Sequence, residues 1–281
     1  MQAQKGVSVN RLKIHVKAGI SWIMDILRNR KMILELAFND LKTRYASSYM
    51  GAIWAFIQPV VTVLIYSLVF GVGLRMMPNA GYPYVPWLVA GMIPWFFFQD
   101  TVLMSTQCLR EYSYLVKKVV FNVKLIPITK EVTALMIHAV FIVLCFVIHG
   151  IYGIAPSLYS LQMVYYLFCD IVLSLGIGYL LSALCVFYPD LQQMVSIFLQ
   201  FGIWLTPIMW QDTLFGETAL KIMKFNPLYY IVSGYRDCMF SKVAFWEKPL
   251  LTTWFWVFTV VVFVVGINTF RKLEGHFADV L

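Results

Sequence analysis

The stretch from Leu41 to Pro59, LKTRYASSYMGAIWAFIQP, is the sequence feature that most restricts how this chain can fold. A basic segment ending in Lys42 and Arg44 passes without a linker into a long apolar run. A charged helix that lies along a membrane surface and leads directly into a membrane-spanning helix would produce this pattern. Such a layout is typical of membrane transport proteins and unusual for a soluble enzyme.

The composition also indicates a protein with several membrane spans. Hydrophobic residues make up 60% of the 281 residues and charged residues 13%, whereas a soluble domain is about half apolar and about a quarter charged. The length accommodates about six spans of roughly 20 residues each, joined by short loops. We therefore expect an all-α integral membrane protein with six transmembrane helices, an amphipathic interface helix before the first span and two short re-entrant helices before the last.

The formal net charge of +8 is unevenly distributed along the chain. Nine Lys and Arg residues precede the first predicted span, five lie between Arg110 and Lys130, and Arg271 and Lys272 follow the last span. The other six of the 22 fall on the opposite side of the predicted membrane. This asymmetry follows the positive-inside rule and predicts a multi-pass protein of the cytoplasmic membrane with both termini in the cytoplasm. Membrane orientation explains the basicity, so we expect no nucleic-acid partner.

Apolar runs and turn residues divide the chain into a cytoplasmic segment, 1–48, and a membrane domain, 49–281. In the first part, residues 28–45 have apolar side chains at helical spacing, which predicts a helix lying among the lipid headgroups; the alternative is a helix that packs on a partner protein. We assign no role to residues 1–27. The predicted spans are 50–74, 84–106, 129–151, 161–187, 194–209 and 252–270.

Two other segments between the spans are distinctive. The basic amphipathic loop 109–128 is suited to docking in the groove of a partner protein; the alternative is a solvated loop that only obeys the orientation rule. The fifth run, 194–209, has sixteen residues, which cover about 24 Å of the ~30 Å hydrocarbon core. The segment 214–240, divided by Pro227, is expected to form two short helices that dip back into the outer leaflet.

The chain has no motif for catalysis or nucleotide binding. It lacks a phosphate-binding loop, HExxH and GxSxG motifs, and a CxxC pair, so we expect neither an enzyme nor a metal site. Energy for transport would come from an ion gradient or from another polypeptide. The ionisable groups expected inside the membrane are few: Asp100, which can pair with Arg44, and His138 with Asp170, which are at similar depth and can form a buried polar pair.

Five short motifs occur in order along the chain and resemble the permease subunits of polysaccharide ABC exporters, a group that includes the O-antigen, capsule and teichoic-acid exporters. The resemblance covers about residues 28–275, and Met50 replaces the usual leucine. The motifs are Leu41-Lys42-x-Arg44-Tyr45-x-x-Ser48-x-x-Gly51-x-x-Trp54-x-x-x-x-Pro59, Gly91-x-x-Pro94-Trp95-x-Phe97-Phe98, Val116-Lys117-Lys118 with Pro127, Phe187-Tyr188-x-Asp190, and Thr206-Pro207-Ile208 followed by Asn226-Pro227-Leu228.

The resemblance implies a homodimer of six-span subunits, each bound to a separate ATP-binding cassette subunit. ATP and Mg²⁺ would bind to the two copies of that partner, and this chain would bind no cofactor. The implied cargo is a polysaccharide or a teichoic-acid-type polymer carried on an undecaprenyl-diphosphate lipid. The alternatives are an ABC exporter of the same type for small hydrophobic drugs or lipids, and a channel or scaffold without an ATPase.

This reading predicts five groups of functional residues. The lipid diphosphate would be held by Lys42, Arg44 and Tyr45, although plain anchoring to the headgroups of membrane lipids is an alternative role. Aromatic side chains that can line a glycan channel are Trp54, Phe56, Tyr66, Trp95, Phe96, Phe97 and Trp204. Candidates for coupling to the ATPase are Glu111, Tyr112, Tyr114, Lys117 and Lys118. The outer-gate candidates are Pro227, Tyr229, Tyr230 and Arg236, and the buried polar pair is His138 with Asp170.

Overall fold

The computed structural model describes residues 24–44, 46, 48–76, 78, 81–118, 121–211, 214 and 216–281. All regular secondary structure in these ranges is helical. Five helical segments among them are long and apolar enough to cross a membrane: Trp54–Gly73, Tyr84–Glu111, Leu125–Ile151, Leu158–Phe187 and Pro249–Val280. The chain is therefore an all-α, multi-pass membrane protein.

The helices follow one another along the chain with short connections. Two of them continue into π-helical turns, α2 through Ser67–Gly73 and α9 through Asp237–Ser241, and the 3₁₀ turn Leu158–Leu161 leads into α6. The α-helices are α1 (Arg30–Arg44), α2 (Trp54–Tyr66), α3 (Tyr84–Glu111), α4 (Ser113–Val116), α5 (Leu125–Ile151), α6 (Gln162–Phe187), α7 (Leu191–Leu205), α8 (Glu217–Lys224), α9 (Pro227–Arg236), α10 (Pro249–Leu273) and α11 (Phe277–Val280).

The helix in the fifth apolar run, α7, has 15 residues and is too short to count among the five spans. It covers about 22 Å, less than the hydrocarbon core of roughly 30 Å. Its end has a local cause, because Thr206 is extended with φ −96° and ψ 130° and is followed by Pro207. A residue before proline is disfavoured in the helical conformation. The sixth crossing therefore stays a prediction.

The third span begins at Leu125, four residues earlier than the sequence indicated. The predicted loop 109–128 therefore ends earlier, and Pro127 lies in the first turn of α5, where its missing N–H would have had no helical partner. Lys130 and Glu131 lie at the start of the predicted span 129–151, but neither was among the ionisable groups expected inside the membrane, and Lys130 was counted with the cytoplasmic cations. Both are inside α5 and only 3% and 4% exposed.

The centre of the bundle is formed by α3 and α6. In their most apolar stretches 78% and 61% of the residues are buried, compared with 6% for α2 and 17% for α10. The backbones of α6 and α10 touch at two glycines, since a Cβ added to Gly266 would lie 2.2 Å from the carbonyl oxygen of Gly176. The central helices are thus closely packed, whereas α2 is peripheral.

The interface helix α1 packs on α5 of its own chain. Ile33 and Ala37 are buried, and the Thr133 hydroxyl of α5 donates to the carbonyl of Ala37 at 3.3 Å. Leu34 and Phe38 are more than half exposed, so apolar side chains are present on more than one side of this helix. One face of α1 is fixed to the bundle, and another remains available to the surroundings.

A polar and aromatic cleft with flanking ion pairs

A cleft of about 390 Å³ lies between α2, α3, α5 and α7. Five of the seven aromatic residues predicted to line a channel line this cleft: Trp54, Tyr66, Phe96, Phe97 and Trp204. They come from three helices that are far apart in sequence, and the fold brings them to one cavity. Whether they face a transported glycan stays a prediction.

The cleft is also lined by polar side chains that sequence reasoning missed. Four of them lie on the same three helices as the aromatics: Gln58, Thr62, Gln99 and Gln200. A single amide or hydroxyl in an apolar run is a weak signal, yet these groups converge on one cavity. The cleft therefore offers aromatic faces together with hydrogen-bonding groups, the combination that binding sites for polar ligands use.

Two of the predicted aromatics do not line the cleft. Trp95 is 1% exposed, and its indole N–H donates to the Gln99 side-chain oxygen at 2.8 Å. It packs against Gly202 of α7, where an added Cβ would lie 2.9 Å from the Trp95 ring. The Phe56 ring packs on Phe141, with centroids 5.6 Å apart. Both rings support helix packing and are absent from the lining of the cleft, and a channel role for them stays a prediction.

Aromatic contacts join α2 and α7, two of the helices that line the cleft. The Trp204 ring on α7 lies 6.4 Å from both the Tyr66 ring on α2 and the Phe70 ring in the following π-helical turn. Tyr66 and Phe70 are themselves 6.1 Å apart in an edge-on arrangement. Such pairs each contribute about 0.5–1.5 kcal/mol beyond their burial, so this trio holds α2 against α7.

A bidentate ion pair lies at one end of the cleft. The two Arg44 guanidinium nitrogens contact the two Asp100 carboxylate oxygens at 3.3 Å (Nη1–Oδ2) and 3.1 Å (Nη2–Oδ1), which is the pairing that the sequence suggested. Lys42 is exposed, with its ammonium 5.3 Å from the centre of the Phe38 ring. Tyr45, the third predicted headgroup residue, lies outside the described residues.

A second cavity, of about 650 Å³, lies beside α1 and the carboxyl-terminal end of α3, and we call it the vestibule. Its wall contains Lys130, whose ammonium bonds Asp40 of α1 at 2.5 Å and Glu111 of α3 at 2.7 Å. The Tyr112 hydroxyl donates to the same Asp40 carboxylate at 3.1 Å. One buried cation of α5 thus joins three helical segments. Arg44 lines both the vestibule and the cleft.

Tyr112 stays a neutral donor in this network. Burial, together with the nearby Asp40 carboxylate, raises the pKa of Tyr112 above its ordinary value. The hydroxyl therefore keeps its proton and its hydrogen bond at physiological pH.

The residues predicted to couple to an ATPase divide into two sets. Glu111 and Tyr112 are engaged with the Lys130 network. Tyr114, Lys117 and Lys118 are exposed on or after the short helix α4. Glu111 is exposed as well, but its carboxylate is engaged by Lys130, and a docking role for either set stays a prediction.

The hydrogen bond that we expected between His138 and Asp170 does not form. His138 Nε2 instead lies 3.1 Å from the Tyr235 hydroxyl of α9, and neither Asp170 carboxylate oxygen has a hydrogen-bond partner among the described residues. On the same side of α6, the Ser174 hydroxyl donates to Glu131 at 2.9 Å. His138 also lines the cleft, so it connects the cleft to α9 rather than to α6.

Arg236, at the end of α9, stabilises the irregular backbone after α7. Its guanidinium donates to the carbonyls of Pro207 and Ile208, both at 2.6 Å, and lies 3.5 Å from the centre of the Trp87 ring. Gly91 is required beneath it, because a Cβ there would be 2.7 Å from a guanidinium nitrogen. Arg236, predicted to be near an exit, therefore satisfies backbone acceptors in the irregular segment that follows α7.

The other predicted gate residues have structural contacts as well. Pro227 occupies the first turn of α9, which Asn226 caps by accepting a hydrogen bond from the Leu228 N–H at 3.0 Å. Tyr230 is 3% exposed, and its hydroxyl lies 3.1 Å from that of Tyr165. Tyr229 lines a small cavity of about 180 Å³ with Arg236. Tyr230 thus faces the protein interior, and the gate role of this region stays a prediction.

Comparison with known proteins agrees with the architecture. Residues 33–240 match the model of the family described as ABC-2 type transporter. The chain is 26% identical over 275 residues to the O-antigen export system permease protein RfbA of Klebsiella pneumoniae, covering 96% of this chain and 100% of that protein. It is 25% identical over 263 residues to the O-antigen export system permease protein RfbA of Myxococcus xanthus, covering 92% of this chain and 99% of that protein. It is 24% identical over 255 residues to the polysialic acid transport protein KpsM of Escherichia coli, covering 87% of this chain and 95% of that protein. The chain belongs to the ABC-2 type transporter family.

Proposed function

We propose that this chain is the permease subunit of an ATP-driven exporter that moves a cell-surface polysaccharide, carried on undecaprenyl diphosphate, across the cytoplasmic membrane. The observation that carries the proposal is the cleft, which combines aromatic faces with amide and hydroxyl groups. Sugar rings need apolar faces for their C–H groups and polar partners for their hydroxyls. The relatives named for O-antigen export and polysialic acid transport support the same class of cargo, and a teichoic-acid-type polymer belongs to it as well.

The proposed assembly contains two copies of this chain and two copies of a separate ATP-binding subunit, which holds ATP and Mg²⁺. In this arrangement α7 provides a sixth, short crossing, and both termini lie in the cytoplasm, as the asymmetry of Lys and Arg favours. The exposed set of Tyr114, Lys117 and Lys118 would meet the partner. Lys42, Arg44 and Tyr45 would bind the lipid diphosphate, since guanidinium groups bind phosphate in a bidentate manner.

The first experiment is to co-express the chain with the ATP-binding protein encoded beside it and to ask whether the two purify together. We expect a stable complex whose ATPase activity is stimulated by lipid-linked glycan. Failure to bind any nucleotide-binding partner would refute the exporter and favour the channel or scaffold alternative.

A second experiment tests the cleft itself. Trp204→Ala and Gln200→Ala each remove one lining group, and we expect each to reduce glycan export about fivefold, as the loss of roughly 1 kcal/mol of contact implies. Phe168→Ala is the matched control, because this aromatic is exposed on α6 outside the cleft. If export is unchanged in the cleft variants, or falls equally in the control, the cleft is not the path of the cargo.

The outer gate is tested by cross-linking. Ile222 on α8 is 67% exposed, and Ile222→Cys in both copies allows the two gate segments to be joined by a disulfide or a short thiol-specific linker. We expect the cross-linked complex to lose export and to retain ATP hydrolysis. Undiminished export by a fully cross-linked complex would show that this region is not a gate.

A groove of about 310 Å³ between α2, α3 and α5 supports a second candidate, an exporter of small hydrophobic drugs or lipids. It is lined almost entirely by apolar side chains, Val60, Val63 and Phe141 among them. This alternative predicts that hydrophobic dyes, rather than lipid-linked glycan, stimulate the ATPase of the complex.

A further inference from the structure

The ion pair between Arg44 and Asp100 lies where the two large cavities meet. Arg44 lines both the cleft and the vestibule, whereas Asp100 lines the cleft. Their side chains are 34% and 33% exposed, so solvent and dissolved ligands in either cavity can reach the pair. Because Arg44 is the last residue of α1 and Asp100 is on α3, the pair also joins the interface helix to the central bundle.

Asp100 occupies the donors that a phosphate group would use. A carboxylate and a phosphate both present two oxygens to the planar fork of a guanidinium, and both form bidentate pairs with it. The two contacts to Asp100, at 3.3 and 3.1 Å, use both terminal nitrogens of Arg44. A phosphate can therefore take this position on Arg44 only after the Asp100 carboxylate has left it.

The pair is also of a kind that a ligand can displace. Partly exposed ion pairs contribute little net stability, and a diphosphate carries more negative charge than one carboxylate. We propose that Asp100 is an internal competitor, which holds Arg44 while no cargo is present and is displaced by the phosphate group of the cargo carrier. This inference rests on the proposed function, in which Arg44 binds the carrier diphosphate.

Displacement has a structural consequence. Once Arg44 binds phosphate, the end of α1 loses its ion pair with α3, while the Lys130 network and the Thr133 contact still hold the rest of α1. The Arg44 side chain then follows the ligand instead of Asp100. Asp100 thereby sets how strongly a phosphate must bind before Arg44 can leave the bundle.

The test measures the binding of inorganic pyrophosphate to the full chain in nanodiscs of zwitterionic lipid, by isothermal titration calorimetry. We expect Asp100→Asn to bind pyrophosphate up to about fivefold more tightly than the unmodified chain, since the ion pair that competes for Arg44 is removed. Arg44→Ala should bind at least tenfold more weakly. Glu35→Gln, which neutralises an exposed carboxylate on α1, should leave the affinity unchanged.

The double variant, Arg44→Ala with Asp100→Asn, separates competition from simple repulsion. If Asp100 acts by occupying Arg44, the double variant binds like Arg44→Ala alone. If Asp100→Asn strengthens binding equally when Arg44 is absent, the carboxylate only repels anions and the inference is wrong. An affinity unchanged by Asp100→Asn would also overturn it, while an affinity unchanged by Arg44→Ala would refute the diphosphate site of the proposed function.

Discussion

Replacing Lys130 by methionine tests whether the buried ion network holds the inner segments of this protein together. The Lys130 ammonium is 3% exposed and contacts Asp40 at 2.5 Å and Glu111 at 2.7 Å. It also lies 4.9 Å from the centre of the Tyr112 ring. Methionine has a similar length and is apolar, so Lys130→Met removes the charge and its hydrogen bonds with little change in volume.

The expected loss follows from the exposure of the two carboxylates. Asp40 is 12% exposed and would keep only Tyr112 as a partner, whereas Glu111 is 40% exposed and can be hydrated again. Removing one partner of a buried pair costs about 3–5 kcal/mol. Because the Glu111 carboxylate is accessible to water, we expect the lower end of this range, a decrease of about 3 kcal/mol in the free energy of unfolding.

A double variant isolates the interaction. Asp40→Asn combined with Lys130→Met leaves no uncompensated carboxylate on α1, so the combined loss should be about 2 kcal/mol smaller than the sum of the two single losses. The measurement is unfolding in mixed micelles by titration with a denaturing detergent, followed by the loss of helical circular dichroism.

The chain provides a matched control six residues earlier. Lys124 pairs with Glu274 at 3.3 Å, but the two side chains are 32% and 28% exposed, and such pairs contribute about 0–1 kcal/mol. Lys124→Met should therefore cost less than about 1 kcal/mol. Equal losses for Lys124→Met and Lys130→Met would refute the reasoning, because burial would then have no influence on the value of the ion pair.

Three further substitutions, one of them a control, test the packing of the bundle. Gly266→Ala places a Cβ 2.2 Å from the carbonyl oxygen of Gly176, and this backbone contact cannot be relieved by a rotamer change, so we expect a loss of about 1–3 kcal/mol. Gly150→Ala meets no atom within 4 Å and should be neutral or stabilising by up to about 1 kcal/mol; the same unfolding assay measures both, and equal effects would contradict the close contact of α6 and α10. Arg236→Lys cannot reproduce the bidentate hydrogen bonds to the end of α7 or the stacking on the indole. It should lower stability by about 1–3 kcal/mol, and an unchanged thermal midpoint would show that Arg236 does not hold that end.

The sequence was sufficient to predict features that depend on local pattern or on depth in the membrane. Apolar runs identify the spans, and the place of Asp100 near the inner end of the predicted span 84–106, at the depth of Arg44, made the pair foreseeable. Pro127 does not fix the boundary of α5 from the sequence, because a proline can end a helix or begin one. Lys130 lies inside the predicted span 129–151, but it was counted with the cytoplasmic cations, and the network that it centres was not predicted.

The orientation of side chains around each helix could not be predicted. Trp95 and Phe96 are adjacent, yet consecutive helical residues point about 100° apart, and only Phe96 reaches the cleft. His138 binds Tyr235, a residue 97 positions away, and not the carboxylate at a similar depth. These outcomes depend on the rotation of each helix about its axis and on which helices become neighbours in the bundle. The spacing of apolar residues along the sequence determines neither of them.

The contacts around the cleft indicate which walls can move at low cost. The α3 wall is continuous with the buried centre of the bundle, where 78% of its most apolar stretch is buried, compared with 6% for α2. Moving α2 away breaks the contacts of Trp204 with Tyr66 and Phe70 and the packing of Phe56 on Phe141, but it leaves the backbone contact of α6 and α10 intact. These three inter-helix aromatic pairs contribute about 1.5–4.5 kcal/mol together. A wider cleft is therefore separated from the observed one by a few kcal/mol in these contacts, and a ligand that binds the wider form with that much greater affinity is sufficient to shift the population.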